Sequence, residues 1–215
     1  MVRRARRHAL ALATVMLVAA TGCSGSPSDS DTAVAGQKPA GAIPIGPGPR
    51  PTYSVQPQPP AGSCHYRHNG GQPLPDPTCT PGALNPDVTQ ATLTTTICRK
   101  GGYTSGIRPP SGVTDREKRA NTAAYGYTGS LHDAEYDHLI SLQLGGDPND
   151  PRNLWVEPPS PGHKPGAGPN NPKDAVETHL HTAICDGKVK LADAQEAIAT
   201  DWTTAEAVLG ISRSR

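Results

Sequence analysis

Apolar and polar positions are distributed in three different ways along this chain, and each predicts a different kind of structure. Leu10–Ala20 is an almost unbroken run of apolar and small residues, and 24 to about 62 offers only Val34, Ile43, Ile45, Tyr53 and Val55 as larger apolar side chains. From about Asp87 the apolar residues return at regular spacings. Val176, Leu180 and Ile184 recur every fourth residue, which puts them on one face of a helix over 172–185. Asn171 is placed to cap it, Pro172 suits its first position, and Asp186-Gly187 ends it. A second stripe, Leu191, Ala194, Ile198, Trp202, Ala205 and Leu209, predicts a helix over 191–209. Thr114 is a candidate cap for a shorter helix over 115–125, with Asp115 and Glu117 in its first turn.

Strand signals are shorter. Val88 to Cys98 is rich in β-favouring Val, Thr and Ile, although its alternation is poor. Tyr136–Leu144, bounded by Gly145-Gly146, and Asn153–Val156 read as two more strand-like stretches. The turn-rich segment 64–87, with Asn69-Gly70-Gly71 and several prolines, is expected to be a disulfide-tied extension. The segment before it, 23–63, cannot bury enough apolar surface to offset its ordering entropy and is expected to be a disordered, stiffly extended tether. The folded domain is then expected to occupy 88–215.

The first 22 residues place the protein. Arg3, Arg4, Arg6 and Arg7 precede the Leu10–Ala20 run, with no acidic residue among them, which is the pattern of a secretory signal peptide. The run is about half the length that a helix needs to cross a bilayer. Ala20-Thr21-Gly22-Cys23 is similar to a bacterial lipobox, so Cys23 is the expected lipid-attachment residue. The expected location is the outer, extracytoplasmic face of the cell membrane, with plain secretion as the alternative. Of the 20 Lys and Arg, four leave with the signal, so 16 face 19 Asp and Glu and the mature chain is near −3. That balance disfavours a polycationic nucleic-acid binder.

With Cys23 used by lipid, Cys64, Cys79, Cys98 and Cys185 remain, an even number in an oxidising compartment. Of the three pairings that four cysteines allow, the expected one is Cys64–Cys79 as a local loop and Cys98–Cys185 as a long staple, worth roughly 4 kcal/mol on the chain-entropy model. No Cys-x-x-Cys pair occurs, which argues against a zinc knuckle.

Against a core without phenylalanine, Glu135-Tyr136-Asp137-His138 is conspicuous. An aspartate is a hard ligand for Mg2+-like cations, and a neutral histidine can take a proton from water. Adjacent residues on a regular strand point to opposite faces, so the two can share a site only where the strand ends or bulges. Downstream stand Asn153 and, on the 172–185 helix, Lys173, Asp174, Glu177 and His181 at i,i+3 and i,i+4 spacings.

The order Glu135-Tyr136-Asp137-His138-Leu139-Ile140-Ser141-Leu142-Gln143-Leu144-Gly145-Gly146, then Asn153-Leu154-Trp155, resembles the HNH (His-Me finger) nuclease superfamily, in particular small exported actinobacterial HNH-like proteins. The similarity spans most of 88–203. It implies an α+β fold with a small ββα-metal (HNH-like) core, an additional C-terminal helix and a disulfide brace. It also implies catalytic roles for His138, as general base, and Asn153, as the residue that steadies the histidine-bearing loop. Asp137 would be a metal ligand, with the second ligand drawn from Asn170, Asn171, Glu177 or His181. Arg108 and Lys173 are candidate phosphate contacts. The implied cofactor is a divalent cation, Mg2+ or Mn2+, with Zn2+ as the alternative. The implied activity is phosphodiester hydrolysis of extracellular DNA or RNA. Ser141 stands where that superfamily commonly has proline, and its zinc-binding cysteine pairs are absent. The alternative reading is a catalytically inactive surface lipoprotein that acts as a binding or structural module.

Overall fold

A computed structural model describes residues 42–211. The signal segment, Cys23 and the first part of the tether lie outside the described residues. The fold is mixed α+β: two small antiparallel sheets, helices concentrated toward the C-terminus and two disulfides. In chain order the elements are β1 (Arg67–Asn69), β2 (Gln72–Leu74), α1 (Ser111–Tyr125), β3 (Glu135–His138), β4 (Leu154–Glu157), α2 (Lys173–Cys185), α3 (Leu191–Asp201) and α4 (Ala205–Val208). Among the described residues no helix is long and apolar enough to cross a membrane.

β3 and β4 pair antiparallel, Glu135 opposite Glu157 and His138 opposite Leu154. Two hydrophobic clusters border this hairpin. Immediately after β3 the chain alternates between them: Leu139 packs with Ala124, Tyr125, Trp155 and Val156, whereas Ile140 joins Leu144, Val176, Leu180, Ile184, Ile198 and Trp202. The expected helical stripe of α2 is therefore the one that faces the larger cluster. α1 lies along β4, where the Asn121 side-chain carbonyl accepts the Val156 N–H at 2.7 Å and so satisfies a backbone group of the strand.

Several expectations change at this level. The Val88–Cys98 stretch is not a strand but a series of turns around a short 3-10 helix, Leu93–Thr95. Its threonines explain the difference. Thr92 Oγ1 donates to the Asp87 carbonyl and accepts from the Thr89 N–H, and Thr96 Oγ1 donates to the Thr92 carbonyl. Side-chain hydroxyls thus occupy backbone groups that a sheet would need. α1 starts three residues before Thr114, directly after Pro109-Pro110. The long C-terminal helix divides at Trp202–Thr204, because Asp201 Oδ1 accepts both the Thr203 N–H and its hydroxyl. The strand-like stretch from Tyr136 shortens to β3, and Leu142–Leu144 forms a 3-10 turn.

A further change concerns the proline-rich segment, which from residue 42 onward is laid against the domain. Ile45 and Gly146 both bridge to Leu84, Gly48 N–H donates to Asp147 at 2.7 Å, and Gln56 N–H donates to Glu117 at 2.7 Å. Tyr53 OH donates to the Ile107 carbonyl at 2.6 Å, and the Asn121 amide donates to Gln58. A segment already extended by its prolines loses little entropy on docking, so hydrogen bonds suffice where apolar burial is small. The 64–87 segment is equally integral. Gly70 and Gly71, both at positive φ, close the β1–β2 hairpin, Leu74 enters the larger cluster and Cys64 the smaller.

Both expected disulfides are present, Cys64–Cys79 and Cys98–Cys185. The second ties the turns after Leu93–Thr95 to the last residue of α2.

Candidate functional site

Asn153 is the organising residue between β3 and β4. It is fully buried; its amide donates to the Ile140 and Asp147 carbonyls, both at 3.0 Å, and its side-chain oxygen accepts the Ile140 N–H at 3.0 Å. These three bonds close the 140–153 loop on itself. Gly146 is needed for that closure: a Cβ there would stand 1.7 Å from the Ile140 carbonyl oxygen and 2.7 Å from the Asn153 amide.

The loop holds His138 at the end of β3. The ring is almost wholly buried, and its Nε2 lies 3.0 Å from the Pro148 carbonyl, which can only accept, so Nε2 carries the proton. Burial lowers its pKa to about 4, and the Arg108 and Lys173 charges act in the same direction, against Asp137. His138 is therefore neutral at pH 7.

Asp137, one residue earlier, is also buried, but its carboxylate does not stand ready for an added cation. The Lys173 ammonium donates to Asp137 Oδ2 at 2.6 Å, to the His138 carbonyl at 2.8 Å and to Glu177 Oε1. Lys173 is completely buried. Burial alone would lower its pKa, but the Asp137, Glu177 and Glu157 carboxylates outweigh that and raise it, so the ammonium stays charged. Three oxygen donors around a cation is the arrangement expected of a hard metal ligand set, and here a side chain of the same protein supplies the cation.

Carboxylates outnumber the ammonium in this cluster. Asn171 donates weakly to Glu135 at 3.2 Å and to Glu157 at 3.3 Å, and the Gln143 amide reaches Glu177 at 3.3 Å. Glu157 is pushed well above the usual carboxylate range by burial first and by Asp137 next. Glu177 is raised to about 7 by burial, which the Lys173 charge only partly offsets. Glu135 is raised by the same two causes as Glu157. Each of these three carboxyls therefore gives up its proton less readily than in water.

The other residues expected at this site are distributed differently. Asn170 is exposed, with its backbone carbonyl accepting Ser160 N–H at 3.3 Å. Asn171 is spent on the two glutamates and on the Lys173 N–H at 3.0 Å. Arg108 is exposed. Lys173, a candidate phosphate contact by sequence, is instead an internal cation that no phosphate can reach. His181 is not at the Asp137 site: it lies eight residues beyond Lys173, about 12 Å along the helix axis. There its Nε2 meets the Ile97 carbonyl at 2.9 Å and Cys185 Sγ at 3.5 Å. The divalent cation implied at Asp137 thus does not fit the residues present, because the Lys173 ammonium already holds the place.

A candidate metal-binding cluster does exist at the opposite end of α2. The ligand atoms of Cys98, His181 and Cys185 all lie within 4.8 Å of one another. It is consistent with metal binding in general and does not fix the identity of a metal. His181 is a metal-ligand candidate by sequence, but its partners Cys98 and Cys185 are not, because Cys98 is remote in the chain and neither cysteine belongs to a closely spaced pair; the His181–Cys185 i,i+4 spacing is the available signal. Glu157 was missed too, because it stands one residue beyond the strand-like stretch Asn153–Val156.

No protein-family model, curated protein or solved structure matches this chain.

Proposed function

We propose that the mature protein is a lipid-anchored domain on the outer face of the cell membrane. In this reading its frame is HNH-like, and it serves as a binding or structural module without phosphodiesterase activity. The observation that carries the reading is the buried Lys173 ammonium between Asp137, the His138 carbonyl and Glu177. A tethered cation cannot be exchanged, cannot carry a water molecule for attack, and is closed off from any phosphate. His138 adds to this. With a pKa near 4 it is a weak base.

A second reading, metal-dependent hydrolysis of nucleic acid, is favoured by one feature. Asn153 fixes the His138-bearing loop with the bonds that such an enzyme would need. One assay separates the two. The mature chain from Cys23 is incubated with supercoiled plasmid and with RNA in Mg2+, Mn2+ or Zn2+. The expected result is no cleavage beyond that of His138→Ala. Cleavage that disappears in His138→Ala overturns the module reading and establishes the enzyme. The chain is used whole, because a cut at residue 88 would remove Cys64 and Leu74 from the two cores. Mass spectrometry of the mature N-terminus tests the anchor separately: a diacylglyceryl adduct on Cys23 is expected, and an unmodified cysteine refutes it.

A further inference from the structure

The Cys98, His181 and Cys185 group has two incompatible chemistries, and the redox state selects between them. In the described structure the two sulfurs are bonded to each other. A disulfide sulfur is neutral and a poor ligand; the thiolate is the ligand form of cysteine. His181 is likewise engaged, with Nε2 2.9 Å from the Ile97 carbonyl, so the oxidised chain holds no free donor set.

Reduction changes all three donors together. Cys185 is exposed at the last turn of α2, and His181 precedes it by four residues, so both project from one helix face. Cys98 comes from the turns after Leu93–Thr95, next to the very carbonyl that His181 contacts. Movement of that turn would free Cys98 and release His181 Nε2 in one step. The donors already lie within 4.8 Å of one another, and ligands around one tetrahedral Zn2+ stand about 3.8 Å apart at the usual Zn–S length. Once the bond is broken the two sulfurs have to move apart to that spacing, while His181 already lies within 4.8 Å of both.

We propose that two-electron reduction of Cys98–Cys185 converts this brace into a site for one soft cation of the zinc class. Its ligands are two thiolates and the His181 imidazole, and solvent completes the coordination at the exposed Cys185. The electrons come from a dithiol. One thiolate of the reductant attacks a protein sulfur and forms a mixed disulfide; its second thiol then closes the reductant's own disulfide and leaves two protein thiols. Binding of the cation expels the two thiol protons. Two thiolates with an imidazole favour Zn2+ or Cu+ over Mg2+ or Ca2+, which prefer oxygen. The proposal is independent of whether the domain is catalytic.

Cobalt(II) titration of the whole mature chain tests it, since cobalt reports thiolate ligation by its colour. After reduction with a water-soluble phosphine and desalting under nitrogen, one equivalent of Co2+ should give thiolate-to-cobalt charge-transfer and tetrahedral d–d bands, and Zn2+ should bleach them. The oxidised chain should give neither band. In Cys98→Ser/Cys185→Ser, with circular dichroism confirming the fold, the bands should vanish although Cys64 and Cys79 remain. His181→Ala, which keeps both sulfurs, should weaken binding tenfold or more. Absence of the bands in the reduced chain overturns the proposal. So does their persistence in the double serine variant, or an unchanged affinity in His181→Ala.

Discussion

The two ends of α2 pose the same problem and solve it differently. At the N-terminal end, Asp137, Glu177 and the His138 carbonyl converge as hard oxygen donors; at the other end, Cys98, Cys185 and His181 converge as soft ones. Each set is neutralised from within the chain, the first by the Lys173 ammonium and the second by a sulfur–sulfur bond. The difference lies in reversibility. The lysine is part of the helix it neutralises and cannot leave short of unfolding, whereas the disulfide can be opened by two electrons. A fixed cation makes the first end a structural joint between β3 and α2. A breakable bond leaves the second end open to change.

The largest expected effect comes from breaking the first end. Lys173→Met should cost about 3–5 kcal/mol at pH 7.5, because it strands Asp137 and Glu177 as buried charges without a partner. Urea denaturation measures this. The comparison also predicts that Mn2+ raises the midpoint of Lys173→Met but not that of the wild type, since the vacated place is one of hard oxygens. A cost below about 1 kcal/mol would mean that the cluster is not held by charge.

Opening the other end should cost less. Cys98→Ser/Cys185→Ser, whose bond spans a separation of 87 residues, should lose about 2–4 kcal/mol. Cys64→Ser/Cys79→Ser, with a separation of 15, should lose roughly 1–2 kcal/mol less, because loop-closure entropy grows only with the logarithm of loop length. Thermal unfolding of the two double variants side by side checks the order, and the reverse order would show that local packing outweighs chain entropy.

Asn153 belongs to neither end, which makes it a control for the comparison. Asn153→Ala removes three buried hydrogen bonds and leaves the Ile140 and Asp147 carbonyls unpaired, so a loss of about 2–3 kcal/mol is expected. Its signature should be faster amide exchange across 140–153, with the Cys98–Cys185 bond unaffected.

Much of this was legible in the chain. The Val176, Leu180 and Ile184 stripe and both cysteine pairings follow from spacing and composition, whereas a loop-steadying role for Asn153 comes only from the HNH resemblance. What sequence spacing could not show is which level of a helix meets which neighbour. Glu177 and His181 are neighbours on one helix surface at i,i+4, yet Glu177 meets β3 while His181 lies one turn further on, level with Ile97. Nor could spacing show that Lys173 turns inward while Asp174 faces solvent. Residues 42–63 were misjudged for another reason. Composition counts apolar side chains, and this segment is held by its backbone through Asp147, Glu117 and Leu84.

The smallest effect sharpens the comparison by pH. Glu177 is raised from the usual 4.5 to about 7, so the folded state binds its proton more tightly than the unfolded chain does. Such a group favours the folded state fully only below the unfolded value; that contribution falls as pH rises from about 4.5 to about 7 and is then constant. Glu135 and Glu157, both raised, act in the same sense. Because the protons are shared across the cluster, Glu177→Gln should remove only about 1–2 kcal/mol of the pH-dependent loss. Urea midpoints at pH 5 and pH 8 measure it: the wild type should lose more stability over that interval than Glu177→Gln. Equal losses would mean that the surplus acids near Lys173 are not what titrates. The disulfide end of α2, whose nearest carboxylate is the exposed, Lys188-paired Asp186, should leave this pH difference unchanged when Cys98 and Cys185 are both serine.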